Sequence, residues 1–305
     1  MSRDRPRPGA RVVVDDVGHG FPGPEGRLEV LDGLRLDVAP GEFVALVGPS
    51  GCGKSTLLRL LAELEHPDRG VALVEGRAAY QPQRDALLPW RRALDNATLG
   101  AEVRGVPAAV ARRDAADLLE RFGLAGFERA WPSQLSGGMR QRLALLRTFL
   151  TPAEALLLDE PLGALDAITR RAFQQWLEEV WLADRRTVVL VTHDVEEALL
   201  LADRVVVLSG RPARAVVEVP NPAPRPRPPT VVTDPAFVAR KAALLEALDR
   251  ASVSGPRPDG AFRAAGTRPP DRPATRGAPP GGGRRAGRRR GPRPPGPRPS
   301  PRRRR

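Results

Sequence analysis

The chain has 305 residues, 34 of them Pro and 30 Gly, and a formal charge of +13. That charge is local: residues 251–305 hold 16 Arg, no Lys and 2 Asp, a net +14, which leaves residues 1–250 at −1. A near-neutral body excludes a protein that binds nucleic acid through global charge. The single cysteine, Cys52, excludes an intramolecular disulfide framework and fits a reducing compartment. No apolar run reaches the roughly 18–20 residues that span a bilayer, the nearest being the interrupted stretch 198–208. Residues 1–9 are charged and Pro-rich without an apolar segment, so no secretory signal is expected.

In chain order, residues 11–17 alternate toward a strand and are followed by the Gly/Pro-rich stretch 18–26. A strand with apolar alternation is predicted over 28–38, closed by a turn at Pro40 and Gly41. Residues 43–47 are continuously apolar, as in a buried strand of a parallel sheet, and lead through a Gly-rich loop into a Leu-rich helix over 55–64. Another short strand is predicted at 71–74. Residues 86–124 read mostly helical, with Pro107 starting one helix and Gly123 ending it. A helix is expected at 139–150, a strand at 155–158, an amphipathic helix at 167–183 and a Val-rich strand at 187–192. A helix at 195–202, strands at 205–209 and 215–219, the Pro-rich 220–229 and a last helix at 237–248 complete the body. Short apolar strands alternating with helices predict an α/β fold with a mainly parallel sheet. From 251 to 305, 39 of 55 residues are Pro, Gly or Arg, a composition that cannot offset chain entropy by burial and is expected to be disordered.

Gly48-Pro49-Ser50-Gly51-Cys52-Gly53-Lys54-Ser55-Thr56 satisfies the phosphate-loop pattern, with an apolar strand before it and a helix after it. Its glycines let backbone N–H groups turn onto phosphates, and the helix start adds partial positive charge. Lys54 is expected on the β- and γ-phosphates and Ser55 on Mg²⁺. The chain has two lysines, Lys54 and Lys241, against 47 arginines. The pressure that favoured arginine elsewhere spared a position where a flexible ammonium fits between phosphates and a planar guanidinium does not. Further on, the apolar 156–158 ends in Asp159 and Glu160. Asp159 is expected to hold Mg²⁺ and Glu160 to polarise the water that attacks the γ-phosphate.

With Leu135-Ser136-Gly137-Gly138-Met139-Arg140-Gln141 added, the sequence resembles the ATP-binding subunits of ABC transporters, whose signature is LSGGQ-like. The resemblance covers about residues 11–220 and implies a P-loop NTPase core with a helical subdomain inserted at about 86–138. It implies a head-to-tail dimer, expected as a homodimer, in which Ser136, Gly137 and Gly138 of one copy close on ATP held by the other. The same resemblance assigns Gln83 to Mg²⁺ and to sensing a membrane subunit, the spacing to Leu87-Leu88-Pro89-Trp90 favouring it over the nearby Gln81. It assigns Asp166 to a loop crossing the dimer interface and His193 to the γ-phosphate. Phe21 is the candidate to stack on adenine. His19 and His66 have no motif around them and read as structural. Glu63 stands where the family usually has Gly, and Leu146 where Ala is usual.

Within the family, the segments 87–91, 126–128 and 161–166 resemble the nitrate/sulfonate/taurine importer group, while Pro82-Gln83-Arg84-Asp85 is similar to ATPases importing pyrimidine precursors of thiamine. The implied function is ATP hydrolysis that energises solute uptake, with Mg²⁺ and ATP as ligands. The implied partners are transmembrane permease subunits and, indirectly, a periplasmic or lipoprotein solute-binding protein, with the chain on the cytoplasmic side of the membrane. The implied layout is an ATP-binding domain at 1–220, a Pro-rich linker and C-terminal helix at 221–250, and the tail at 251–305. The alternative is an ABC ATPase acting on the ribosome or nucleic acid, disfavoured by a single ATPase unit without a heptad-scale insertion. The tail's arginines leave RNA or anionic lipid open as contacts, against an extension with no selected role; nucleic acid is not the expected partner of the body.

Overall fold

The computed structural model describes residues 9–24 and 26–253. The arginine-rich tail expected to be disordered lies outside them from residue 254 onward. The strands are β1 (Val12–Gly23), β2 (Gly26–Val38), β3 (Phe43–Val47), β4 (Arg69–Val74), β5 (Ala78–Gln81), β6 (Ala155–Asp159), β7 (Thr187–Val191), β8 (Arg204–Leu208) and β9 (Ala215–Pro220). The helices are α1 (Lys54–Leu61), α2 (Ala93–Val103), α3 (Ala108–Arg121), α4 (Gly137–Leu150), α5 (Ala167–Asp184), α6 (Val195–Leu201) and α7 (Pro235–Val253). One sheet is antiparallel, in the order β2-β1-β4. The other runs β5-β6-β7-β3-β8-β9, parallel from β5 to β8 with β9 antiparallel at the edge.

The continuous apolar runs are explained by two cores. Along β3, Phe43, Ala45 and Val47 pack with α4 to α7 on one face, while Val44 and Leu46 join α1 and the antiparallel sheet on the other. The same division holds in β6, where Leu156 and Leu158 oppose Leu157. A strand covered on both faces has no polar side to alternate with. Helices α2 to α4 interrupt the chain between β5 and β6, yet those two strands are adjacent and in parallel register.

Four differences from the sequence reading have physical causes. The Gly/Pro-rich 18–26 does not separate two strands: β1 and β2 stay paired through Phe21↔Leu28, Pro22↔Arg27 and Gly23↔Gly26. Pairing of β1 with β4 ends at Gly18, so Pro22 has a strand on one side only and breaks no ladder. Strand β5, Ala-Ala-Tyr-Gln, is too short and poor in β-branched residues to register as a pattern. Helix α1 stops at Leu61 rather than 64, because Leu64 N–H bonds to Arg59 O and Glu63 N–H to Leu60 O, a paired closure with Glu63 in the left-handed region at φ 58°.

The fourth difference is the stretch read as a Pro-rich linker from 221. It is built into the body. Arg227 is 4% exposed, and its guanidinium donates to the carbonyls of Leu199, Leu200 and Ala202 at the end of α6. Asn221 Nδ2 donates to Leu199 and Ala202 as well. Arg225 bonds Glu178 Oε1 at 2.9 Å and Asp203 Oδ1 at 2.9 Å. Beyond them, Phe237, Leu244, Ala247 and Ala251 of α7 enter the main core, so the helix runs on to Val253.

Candidate nucleotide site at the strand ends

Residues 48–53 turn the end of β3 into the start of α1. Gly51 (φ 74°) and Gly53 (φ 120°) adopt backbone that other residues resist, and a Cβ on Gly53 would meet Val30 Cγ1 and Leu31 Cδ2 at 2.8 Å. Helix α1 begins with no side-chain cap and no acidic residue in its first turn. Its first N–H groups and its dipole are therefore left to a ligand. Lys54 is buried, with Nζ donating to Gly48 O at 2.8 Å and Pro49 O at 2.9 Å. The ammonium thus curls back onto the carbonyls of the loop. Cys52 and Thr56 are buried beneath the loop, whereas Ser50 and Gly51 are exposed on it.

Asp159 ends β6 and is 2% exposed. Burial pushes its carboxyl above the ordinary range, opposed by a hydrogen bond from Ser55. Oδ2 accepts from the Tyr80 hydroxyl at 3.4 Å, and Oδ1 is buried with no partner among the described residues. Burial drives the Tyr80 phenol up to about 12, so it remains a donor. An unpartnered carboxylate oxygen beside a serine hydroxyl is the oxygen donor set that a small hard cation takes, so these residues fit Mg²⁺.

Glu160 follows in a left-handed conformation (φ 46°), its N–H held by Val191 O at 2.9 Å. That turn sends its side chain out of the sheet. Glu160 Oε2 accepts from Gln83 Nε2 at 3.1 Å and lies 3.4 Å from His193 Nδ1. Three residues more than 30 positions apart in sequence thus meet at one oxygen. Gln81 behaves differently: it is fully buried, with Oε1 accepting from the Thr148 hydroxyl at 2.7 Å, and serves the core.

The other candidates stand apart, and among the described residues none hydrogen-bonds to this cluster. Ser136 is exposed and caps α4, its Oγ accepting from Met139 N at 3.3 Å. Gly137 and Gly138 form the first turn of α4, which lacks acidic residues. Asp166 is exposed and caps α5 through Ile168 N and Thr169 N at 3.1 and 3.0 Å, hydrogen bonds that hold its carboxyl below the ordinary range. Phe21 is half-buried in β1, edge-on to His19 at 4.8 Å.

Sequence reasoning missed several supporting groups. Buried Gln141 donates to Pro161 O at 3.2 Å, linking α4 to the turn behind Glu160. Buried Glu197 accepts from the Thr192 hydroxyl at 2.5 Å just behind His193. The only sequence signal for either was its spacing, five residues after Ser136 and four after His193. A separate cleft of about 380 Å³ lies among Trp90, Arg91, Arg92, Asp95, Glu102 and Trp131. Trp90 there is 70% exposed and is not a core residue.

A family model described as ABC transporter matches residues 31–163. The chain is 49% identical over 225 residues to an aliphatic sulfonates import ATP-binding protein of Rhodococcus jostii, covering 72% of this chain and 87% of that one. It is 46% identical over 195 residues to a formylaminopyrimidine import ATP-binding protein of Halalkalibacterium halodurans, covering 63% and 78%. Among solved structures, a dimeric post-hydrolysis state of the ATP-binding cassette MJ0796 bound to ADP and Pi aligns with TM-score 0.64 at 27% identity, covering 70% of this chain and 99% of the other.

Proposed function

The chain belongs to the ABC transporter family, and from that premise we propose that it is the ATP-hydrolysing subunit of an importer for small aliphatic sulfonates. The observation that carries the site reading is the meeting of Gln83, Glu160 and His193 at one carboxylate oxygen, beside the loop that ends in Lys54. ATP is bound by residues 48–56, with backbone N–H groups and Lys54 on its phosphates and Phe21 against the adenine. Mg²⁺, held by Ser55 and Asp159 with Gln83 at its edge, would supply neutralisation of phosphate charge. Glu160 orients water for in-line attack and draws its proton, while Gln83 and His193 fix that carboxylate and exclude other rotamers.

One copy supplies only half of this chemistry. Ser136 and Gly137 are exposed and Gly138 half-buried at the start of α4, whose first turn has no acidic residue, and they complete the phosphate cradle of a second copy, with Asp166 at the border. The head-to-tail homodimer docks on the cytoplasmic face of a membrane permease, and the exposed Trp90 and Trp131 cleft receives the permease. No helix among the described residues is long and apolar enough to cross a membrane. A solute-binding protein acts on the far side. The relatives named for aliphatic sulfonates support that solute class. Pro82-Gln83-Arg84-Asp85 and the formylaminopyrimidine relative support a pyrimidine as the second reading.

The test is uptake into vesicles carrying this chain and its cognate permease and binding protein. ATP-dependent accumulation of a labelled alkanesulfonate, lost with Glu160→Gln, is expected. Accumulation of formylaminopyrimidine instead transfers the assignment to the second reading, and uptake of neither removes both.

A further inference from the structure

We infer that Glu197 is a positioning residue for His193, acting through the hydroxyl of Thr192. The inference rests on the reading that His193 and Glu160 act on ATP. Its geometry is a relay of three elements. Thr192, 2% exposed, leaves the end of β7 with its N–H on Leu46 O at 3.2 Å. Its hydroxyl accepts the Asp194 N–H at 3.0 Å, so its own proton is committed to Glu197 Oε2 at 2.5 Å. With Glu197 ionised this bond is charge-assisted, about twice as strong as a neutral one. His193 sits between Thr192 and Asp194, the two residues that the first of these bonds ties together. Asp194 closes the loop by capping α6 through Glu196 N at 2.9 Å and Glu197 N at 3.2 Å. The backbone on both sides of His193 is thereby tied to one buried carboxyl.

Glu197 also lines a cleft of about 10 Å³ with Glu160, Arg170 and His193, room for a single water molecule. Its Oε1 and Arg170 Nε are both buried without a partner among the described residues, an acceptor and a donor on one cleft. The surrounding charges are Asp194 on its own helix, Arg170 on α5 and His193 after β7. Lys241 of α7 is committed to Glu196 at 2.8 Å, β3 offers only buried apolar side chains, and Arg204 of β8 is held by Glu42 and Glu218. Burial outweighs the Thr192 bond and pushes the Glu197 carboxyl up to about 7. Ionised Glu197 grips the hydroxyl; protonated Glu197 is a weaker acceptor and frees the turn.

The experiment is the pH profile of ATP hydrolysis by the full chain, wild type against Glu197→Gln, Thr192→Val and Thr192→Ser. Wild-type kcat should rise with pH through about 7. Glu197→Gln should flatten that rise and lower kcat at pH 8 by about five- to tenfold, with KM for ATP unchanged, because a neutral amide replaces a charged acceptor. Thr192→Val should reproduce the loss and Thr192→Ser should restore it. A Glu197→Gln enzyme that keeps the wild-type profile and rate, or whose KM rises as kcat falls, overturns the inference. If the Glu197 variant fails to fold, the Thr192 pair decides alone, since Val indistinguishable from Ser also overturns it. A wild-type chain that binds ATP but never hydrolyses it refutes the functional reading instead, so the two failures are distinct.

Discussion

Helices α1 and α6 follow neighbouring parallel strands, β3 and β7, and are almost equal in length, yet their ends are finished in opposite ways. Helix α6 is closed at both: Asp194 occupies its start, and Arg227 with Asn221 takes the carbonyls at its end. Helix α1 has no cap at its start, and its end is closed by Glu63, a carboxylate in a left-handed position. A helix with its own cap has spent its dipole on the protein; one without a cap keeps it for an anion. In the reading proposed above, the first positions His193 and the second binds phosphate. The contrast separates residues whose loss should affect binding from those whose loss should affect stability.

The largest effect should fall between the two helices, at Glu160. Glu160→Gln should cut ATP turnover by about 10²–10⁴-fold while leaving ATP affinity within about twofold, measured by single-turnover hydrolysis beside equilibrium binding. At α6, Arg227→Ala leaves five carbonyls short of a donor, and we expect about 3 kcal/mol of lost stability in chemical denaturation with ATP affinity unchanged. A loss of affinity there would break the division. Glu197 adds a pH dependence of defined sign. Its folded pKa is raised from 4.5 to about 7, so its favourable contribution is complete below about 4.5 and is lost as pH rises through 7. Glu197→Gln, which never ionises, should therefore gain on wild type across that window, by at most about 3 kcal/mol at pH 8. Greater stability with slower turnover is the expected pairing for a functional carboxylate held at a desolvation cost.

At α1 the pattern should invert. Lys54→Ala should weaken ATP binding by about 10- to 100-fold while the thermal midpoint of the ligand-free chain moves little. The smallest effect belongs to the end of the same helix. Glu63→Gly removes both the left-handed strain and an acid at the negative end of the dipole, and should stabilise by about 1 kcal/mol, or roughly 2–4 °C in Tm. No gain would mean that Glu63 is held by contacts that offset its backbone cost.

The departure of Glu63 from the family pattern was visible in the sequence, but its meaning was not until φ was known. The same holds for the two glutamines near β5. Spacing favoured Gln83, and the structure separates them by burial: Gln81 faces Thr148 inside the core, while Gln83 reaches Glu160. Pro22 and the prolines at 220–229 argue the other way, since local composition reads both as breaks, whereas the structure pairs the first and anchors the second to the body through Asn221, Arg225 and Arg227.

What the sequence by itself determined are the features written in consecutive residues. They are the phosphate loop between an apolar strand and a Leu-rich helix, the signature at 135–141, the carboxylates Asp159 and Glu160 that follow the apolar 155–158, and the α/β alternation. Each depends on backbone conformation or side-chain chemistry within a few positions, so the local string is sufficient. The tertiary structure decided whatever depends on burial and on partners distant in the chain. It joined Gln83 and His193 to one oxygen of Glu160, left Asp159 Oδ1 without a partner among the described residues, and carried Arg227 back to the end of α6. It also desolvated Glu197, turning an ordinary helix-surface glutamate in the sequence into a buried acid that titrates near neutrality. Desolvation and long-range pairing are properties of the packed chain, and no window of sequence contains them.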